Sequence, residues 1–203
     1  LESPVYPTGG KAIAFELFNQ GGNAVDTGAK ITDNYITNLI AHDDSGGVVG
    51  RGMARGIAFD TDITLNKPIL IADNVIDTVA GNEGDAISVM SLSGSNYLNA
   101  NVFITGNHIK DFNRRGCKIK FNSAVISNNT FYNTWTSSPV NSEGVSVVQG
   151  VVDLVNGEKH IVSGNKFINT EYMSQIKIVT SGSETVSNCV IKDNVITQIS
   201  GAT

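Results

Sequence analysis

The sequence is that of an all-β solenoid, a stack of short strands built from one motif repeated about six times. Two patterns and one absence point there. An Asn-centred phrase recurs six times, a strand-like phrase alternates with it, and no segment keeps a 3.6-residue apolar period over three turns. The composition agrees, with 21 Ile and 21 Val against 8 Leu, and 22 Asn and 21 Gly, among 203 residues. β-branched side chains suit a pleated surface, and Asn and Gly supply the left-handed backbone positions that turns need.

The first phrase reads ITDNYITN at 31–38, IADNVIDT at 71–78, ITGNHIKD at 104–111, ISNNTFYN at 126–133, VSGNKFIN at 162–169 and IKDNVITQ at 191–198. Asn34, Asn74, Asn107, Asn129, Asn165 and Asn194 hold its fixed place, each preceded by Asp, Asn or Gly. Two such residues in succession predict a tight turn with a positive φ between an incoming and an outgoing strand. The second phrase is apolar-x-apolar: Ile13 and Phe15, Ile57 and Phe59, Ile87 and Val89, Ile119 and Phe121, Val145 and Val147, Ile176 and Ile178. Successive motif Asn residues lie 40, 33, 22, 36 and 29 apart, as in a solenoid whose repeats keep their strands and accept insertions in their loops. Short strands at near-regular spacing also suit a sandwich or barrel, but neither has reason to place one dipeptide turn before one strand six times.

The formal charge of −5 with scattered Lys and Arg argues against nucleic-acid binding, and no apolar run is long enough for membrane insertion. No signal peptide is seen, and a start at Leu1 is expected of a piece of a longer chain. Cys117 and Cys189 are too far apart in sequence for a Cys-based zinc site and read as reduced core residues. GGVVG and GRGMARG lack the following helix or Lys-Ser/Thr pair of a phosphate loop, so no cofactor is expected.

The 22-residue minimal spacing, the aliphatic columns and the repeated Asn turn resemble the right-handed parallel β-helix of the pectate lyase-like superfamily, here about six to seven coils. Phrases such as ISNNTFYN, with long uneven loops, look most like the β-helix domains of bacteriophage tailspikes. The resemblance spans about residues 11–199 and implies a linker over 1–10 and one β-helix domain over 11–203. It also implies a homotrimer with β-helices side by side, a place on a virion tail or outside the cell, and recognition and hydrolysis of a bacterial surface polysaccharide. A non-catalytic structural or glycan-binding fibre module is the alternative. A polysaccharide lyase comes third, because no calcium-type carboxylate cluster is evident. Two open strand-edged ends are expected to need flanking domains or self-association.

In such β-helices the second phrase corresponds to the long sheet that carries the substrate groove. Aligned on their inward residues, its strands place Ala14, Ala58, Ser88, Lys120, Ser146 and Lys177 in one outward column, and Glu16, Asp60, Met90, Asn122, Val148 and Val179 in the next. Glu16 and Asp60 are the stacked carboxylates, and on adjacent coils they are the candidate catalytic pair of a glycosidase. Like charges that close raise one pKa, giving an acid and a base or nucleophile. The 44 residues from Ile13 to Ile57 leave room for an intervening coil that would separate the pair. Arg51 and Arg55, in and beside the long loop after Asn38, suit a sugar carboxylate or the orientation of an acid. Arg115, in a basic patch with Arg114, Lys118 and Lys120, is a further candidate for an acidic saccharide, and Trp135 for a sugar platform. His42, Asp43 and Asp44 are adjacent rather than spaced as ligands, so no metal site is assigned.

Overall fold

The computed structural model describes residues 10–17, 28–41, 53–62, 65–81, 83–91, 101–134, 149–170, 173–180 and 186–198. Among them are twenty strands and no helix. The first repeat holds β1 (Lys11–Leu17), β2 (Ala29–Thr32) and β3 (Tyr35–Ile40), and the second β4 (Met53–Thr61), β5 (Ile69–Ala72) and β6 (Val75–Ala80). The third comprises β7 (Glu83–Ser91), β8 (Val102–Thr105) and β9 (His108–Phe112), and the fourth β10 (Arg115–Lys120), β11 (Ala124–Ser127) and β12 (Thr130–Tyr132). The fifth has β13 (Gly150–Val155), β14 (Gly157–Glu158), β15 (Ile161–Ser163) and β16 (Lys166–Ile168). β17 (Ser174–Val179), β18 (Val186–Ser187), β19 (Val190–Lys192) and β20 (Val195–Thr197) make the last.

Each strand pairs in parallel with its equivalent in the next repeat, which generates three six-stranded sheets. The first runs β1-β4-β7-β10-β13-β17, the second from β2 to β19 and the third from β3 to β20, with β14 and β18 as a small extra pair. The architecture is therefore that of stacked parallel sheets, compatible with a parallel β-helix. Of the expected linker only Gly10 lies within the described residues.

Register makes columns of like side chains. Ile31, Ile71, Ile104, Ile126, Val162 and Ile191 follow one another in the second sheet, as the phrase alignment predicts. One apolar cluster takes residues from all three sheets, including Phe59, Ile76, Phe131 and Val162. Phe131 stacks on Phe167 with ring centroids 5.4 Å apart and meets Phe112 edge-on at 6.3 Å.

The turn between the second and third sheets is held by the motif Asn residues. Asn107 donates from its backbone N–H and its Nδ2 to Asn129 Oδ1, both at 2.9 Å, and Asn129 Nδ2 reaches back 2.9 Å to the Ile104 carbonyl. The same pattern joins Asn34 to Asn74, Asn74 to Asn107, Asn129 to Asn165 and Asn165 to Asn194. The residue before each Asn has a positive φ, from 56° at Asp73 to 69° at Gly106, as the sequence predicts.

The first sheet departs from the phrase alignment. Ile87 pairs with Cys117 and Val89 with Ile119, so Phe121 lies beyond β10. The fifth strand is β13, with Val152 and Leu154 in the core columns, while Val145 and Val147 lie outside the described residues. The outward column therefore reads Ala14, Ala58, Ser88, Lys118, Asp153 and Lys177. Met90 opposes Lys120 in the next one, where the sequence alignment has Asn122. The cause in β10 is that Cys117 packs as a small hydrophobe, so Cys117-x-Ile119 takes the place that Ile119-x-Phe121 has in the phrase alignment, two residues along in the same alternation.

Alternation also slips in this sheet. Ala86 and Ile87, and Val151 and Val152, are successive residues that both enter the core. At the equivalent places a Cβ on Gly56 would lie 2.6 Å from the Ala86 carbonyl oxygen, and one on Gly116 2.5 Å from a Phe131 ring carbon. The slip returns the preceding side chains, Arg55, Asp85 and Arg115, to the outer side of the sheet.

Three outcomes follow from this packing. Asn129→Ala removes the acceptor of two buried donors and is expected to cost about 2–4 kcal/mol in urea unfolding. Asn194→Ala, at the end of the ladder, costs clearly less. Gly116→Ala forces Phe131 aside and costs about 1–3 kcal/mol. Buried His160 has its Nε2 3.2 Å from the Asn156 carbonyl oxygen and accepts at Nδ1 from Ala124 N–H at 3.4 Å. Burial, partly opposed by the Asn156 hydrogen bond, lowers its pKa. The neutral form is the folded one, so its stabilisation is complete above about pH 6.5 and is lost as pH falls through the lowered value. Thermal unfolding across that window shows the slope, and His160→Gln flattens it.

Candidate functional site

The outer side of the first sheet gathers most of the polar candidates. Glu16 in β1 is directly opposite Asp60 in β4, with no strand between them, so the long interval from Ile13 to Ile57 adds no rung to this sheet. A third residue joins them. Lys11 Nζ lies 2.5 Å from Glu16 Oε1 and 2.8 Å from Asp60 Oδ2. Glu16 is half exposed, its side chain at 49%, whereas the Asp60 side chain is buried at 6%.

The shared ammonium sets the electrostatics. Its hydrogen bond, and then its charge, lower the Glu16 pKa below the ordinary carboxylate value. Burial works against the charge on Lys11, but its bonds to Asp60 and Glu16 prevail and raise its pKa. The expected repulsion between two bare carboxylates is thus replaced at Glu16 by attraction to a cation lodged between them.

Arg55 extends the group, its Nη1 3.5 Å from Asp60 Oδ2 and its side chain 5% exposed. Further along the face, Arg115 donates from Nε to Asp153 Oδ2 at 2.6 Å and from Nη1 to Asp85 Oδ1 at 3.1 Å. Burial disfavours that guanidinium, yet the two carboxylates outweigh it and raise its pKa. Burial, with Asp85 and Asp153 adding to it, pushes the Cys117 thiol far up, so this cysteine is inert. Both cysteines are free, Cys117 buried and Cys189 packed against the core. Asp60 Oδ1, Asp153 Oδ1 and Ser88 Oγ are buried on the same face with no hydrogen-bond partner.

The structure thus brings Glu16, Asp60 and Arg55 together and engages Arg115 in two internal ion pairs. Arg51, Trp135 and the His42-Asp43-Asp44 run lie outside the described residues. Asp111 belongs to the third sheet, where Thr134 donates to it from N–H and Oγ1 at 2.6 and 2.9 Å. Lys11, Asp85 and Asp153 are missed by sequence reasoning. Placing β13 on Val152 and Leu154 reveals Asp153, and Asp85 follows because it is opposite both Arg55 and Arg115. Among the described residues no group of three or more His, Cys, Asp or Glu side chains is placed to hold a metal ion.

No protein-family model, no curated protein and no solved structure matches the chain.

The geometry makes two expectations. Replacing Lys11 by Met removes the cation, so Glu16, followed by NMR titration, moves up toward its ordinary pKa. Arg115→Ala leaves Asp85 and Asp153 buried without their counterion, and denaturant unfolding is expected to show a loss of about 3–5 kcal/mol.

Proposed function

We propose that the chain is a right-handed parallel β-helix that recognises a bacterial surface polysaccharide in the manner of a phage tailspike, with the outer side of the first sheet facing the glycan. Right-handed winding is what parallel strand connections favour. The observation that carries the reading is the Glu16–Lys11–Asp60 group, two carboxylates on adjacent strands sharing one ammonium, with Glu16 open to solvent. Carboxylates and amines at strand spacing suit the hydroxyl-rich edge of a sugar chain, and Glu16 is the member of the group that is open to it.

Hydrolysis is the second reading, favoured by the same pair. Glu16, kept ionised by Lys11, takes the part of nucleophile or base. Asp60, buried on the other side of Lys11, is the second carboxylate of the pair. A module that holds a glycan without cleaving it needs only the first part of this arrangement. Arg51, Arg55, Arg115 and Trp135 stay in the proposal as glycan-contacting candidates, with Arg115 acting through Asp85 and Asp153 rather than as a free cation.

The side-by-side homotrimer belongs to the same reading. The outward column of the second sheet starts with exposed Lys30 and from the second repeat on reads Leu70, Phe103, Val125, Ile161 and Val190, an apolar stripe on five successive repeats, each residue partly exposed. The place this implies is a virion tail or another extracellular fibre.

The test is incubation of the purified chain with a panel of capsular and O-antigen polysaccharides. Reducing-end release that falls about 100-fold or more in both Glu16→Gln and Asp60→Asn establishes hydrolysis at this pair. Ultraviolet absorbance from an unsaturated uronate instead means a lyase and a different site. Binding without release gives the recognition module, and silence on every glycan by a folded chain overturns the reading.

A further inference from the structure

The outer side of the first sheet is closed in its middle. Arg55, Asp85 and Arg115, opposite one another on β4, β7 and β10, are buried, and so are Ala58, Ser88 and Asp153 in the next outward column. The row at the C-terminal ends of the strands is more open. It runs from Glu16 over buried Asp60 to Met90 and Lys120, and Val155, one residue beyond the partner of Ile119, continues it. Met90, Lys120 and Val155 are each partly exposed. A ligand that touches Glu16 and lies on this face therefore runs across the strands, along that row.

Lys120 is the cation that the row leaves available. Of the basic patch around it, Arg115 is held by Asp85 and Asp153, and Arg114 and Lys118 are engaged as well. Lys120 has no ion pair or side-chain hydrogen bond among the described residues. Its cross-strand neighbours explain why. Met90 is on one side and Val155 on the other, so no carboxylate is opposite it, whereas Glu16, Asp60, Asp85 and Asp153 each have a cation. An ammonium between two apolar side chains is less well solvated than one in open water, so it gains more from a ligand that brings a negative charge.

We infer that Lys120 is a specificity-determining residue, which receives the negatively charged group of an acidic sugar while Met90 and Val155 take the C–H face of the ring. Lys120 is two strand spacings from Asp60, roughly 10 Å and the reach of a disaccharide. The acidic unit is thus placed beside the Glu16–Lys11–Asp60 group rather than on it. The inference rests on the glycan reading of this face and adds the class of polysaccharide, one with a charged sugar in its repeat.

The experiment is calorimetric titration of the purified chain with acidic members of the same polysaccharide panel. Uronate-bearing members are paired with their carboxyl-reduced forms, and phosphate-bearing members with their dephosphorylated forms, so the two sources of charge are read separately. Wild-type chain should bind an acidic polysaccharide about three- to tenfold more tightly than its neutral form. Lys120→Gln should abolish that preference and leave binding of the neutral form as it was, while Lys120→Arg keeps the preference. Lys159→Gln removes an exposed charge of the next repeat and should change neither, which controls for general attraction. Circular dichroism shows that each variant is folded. Charged and neutral forms that bind alike overturn the inference and leave the glycan reading standing. So does a preference that survives Lys120→Gln, or one that falls equally with Lys159→Gln. A chain that binds no member, charged or neutral, overturns both.

Discussion

The parallel register of like residues is the constraint on which the rest depends, and the Asn ladder is where it is enforced. An amide supplies donors on one side and an acceptor on the other, so it can satisfy a buried turn only if the next repeat places the same amide one strand spacing away. A shift of one residue in any repeat would strand two donors and point the aliphatic columns outward. The ladder therefore makes each repeat answer to its neighbours, and the aliphatic columns supply the burial that stabilises the result.

Rigid stacking is what gives the candidate site its geometry. Glu16 and Asp60 are 44 residues apart in the chain, yet strand pairing places them side by side, where a single lysine can hold both. The slip in alternation does the same for Arg55, Asp85 and Arg115. A strand of regular alternation would send those side chains into the core, while two successive inward residues return them to the outer face. The ion pairs are largely buried, so their value lies in orientation more than in net stability.

The ladder and the second and third sheets were legible in the sequence because their signal is redundant: a fixed Asn, a constrained residue before it and flanking aliphatics recur together. The first sheet was only half legible. Ile13, Ile57 and Ile87 aligned as expected, but Cys117 does not announce itself as a core residue, and Val145-x-Val147 imitates the strand that Val152-x-Leu154 forms. The pairing of Glu16 with Asp60 was readable from that alignment. The Lys11 bridge was not, since it spans five residues along one strand and alternation rules carry no side-chain reach. Asp85 and Asp153 stayed hidden because their role depends on the slip, a local break in the very rule used to find faces.

The fourth repeat separates Asn107 from Asn129 by only 22 residues and still contributes a strand to every main sheet. Everything that other repeats carry beyond that length is therefore optional to the stack. Inserted segments of different size and chemistry can be exchanged in such a chain without renegotiating its core. Selection on what the molecule touches is in this way uncoupled from selection on whether it folds.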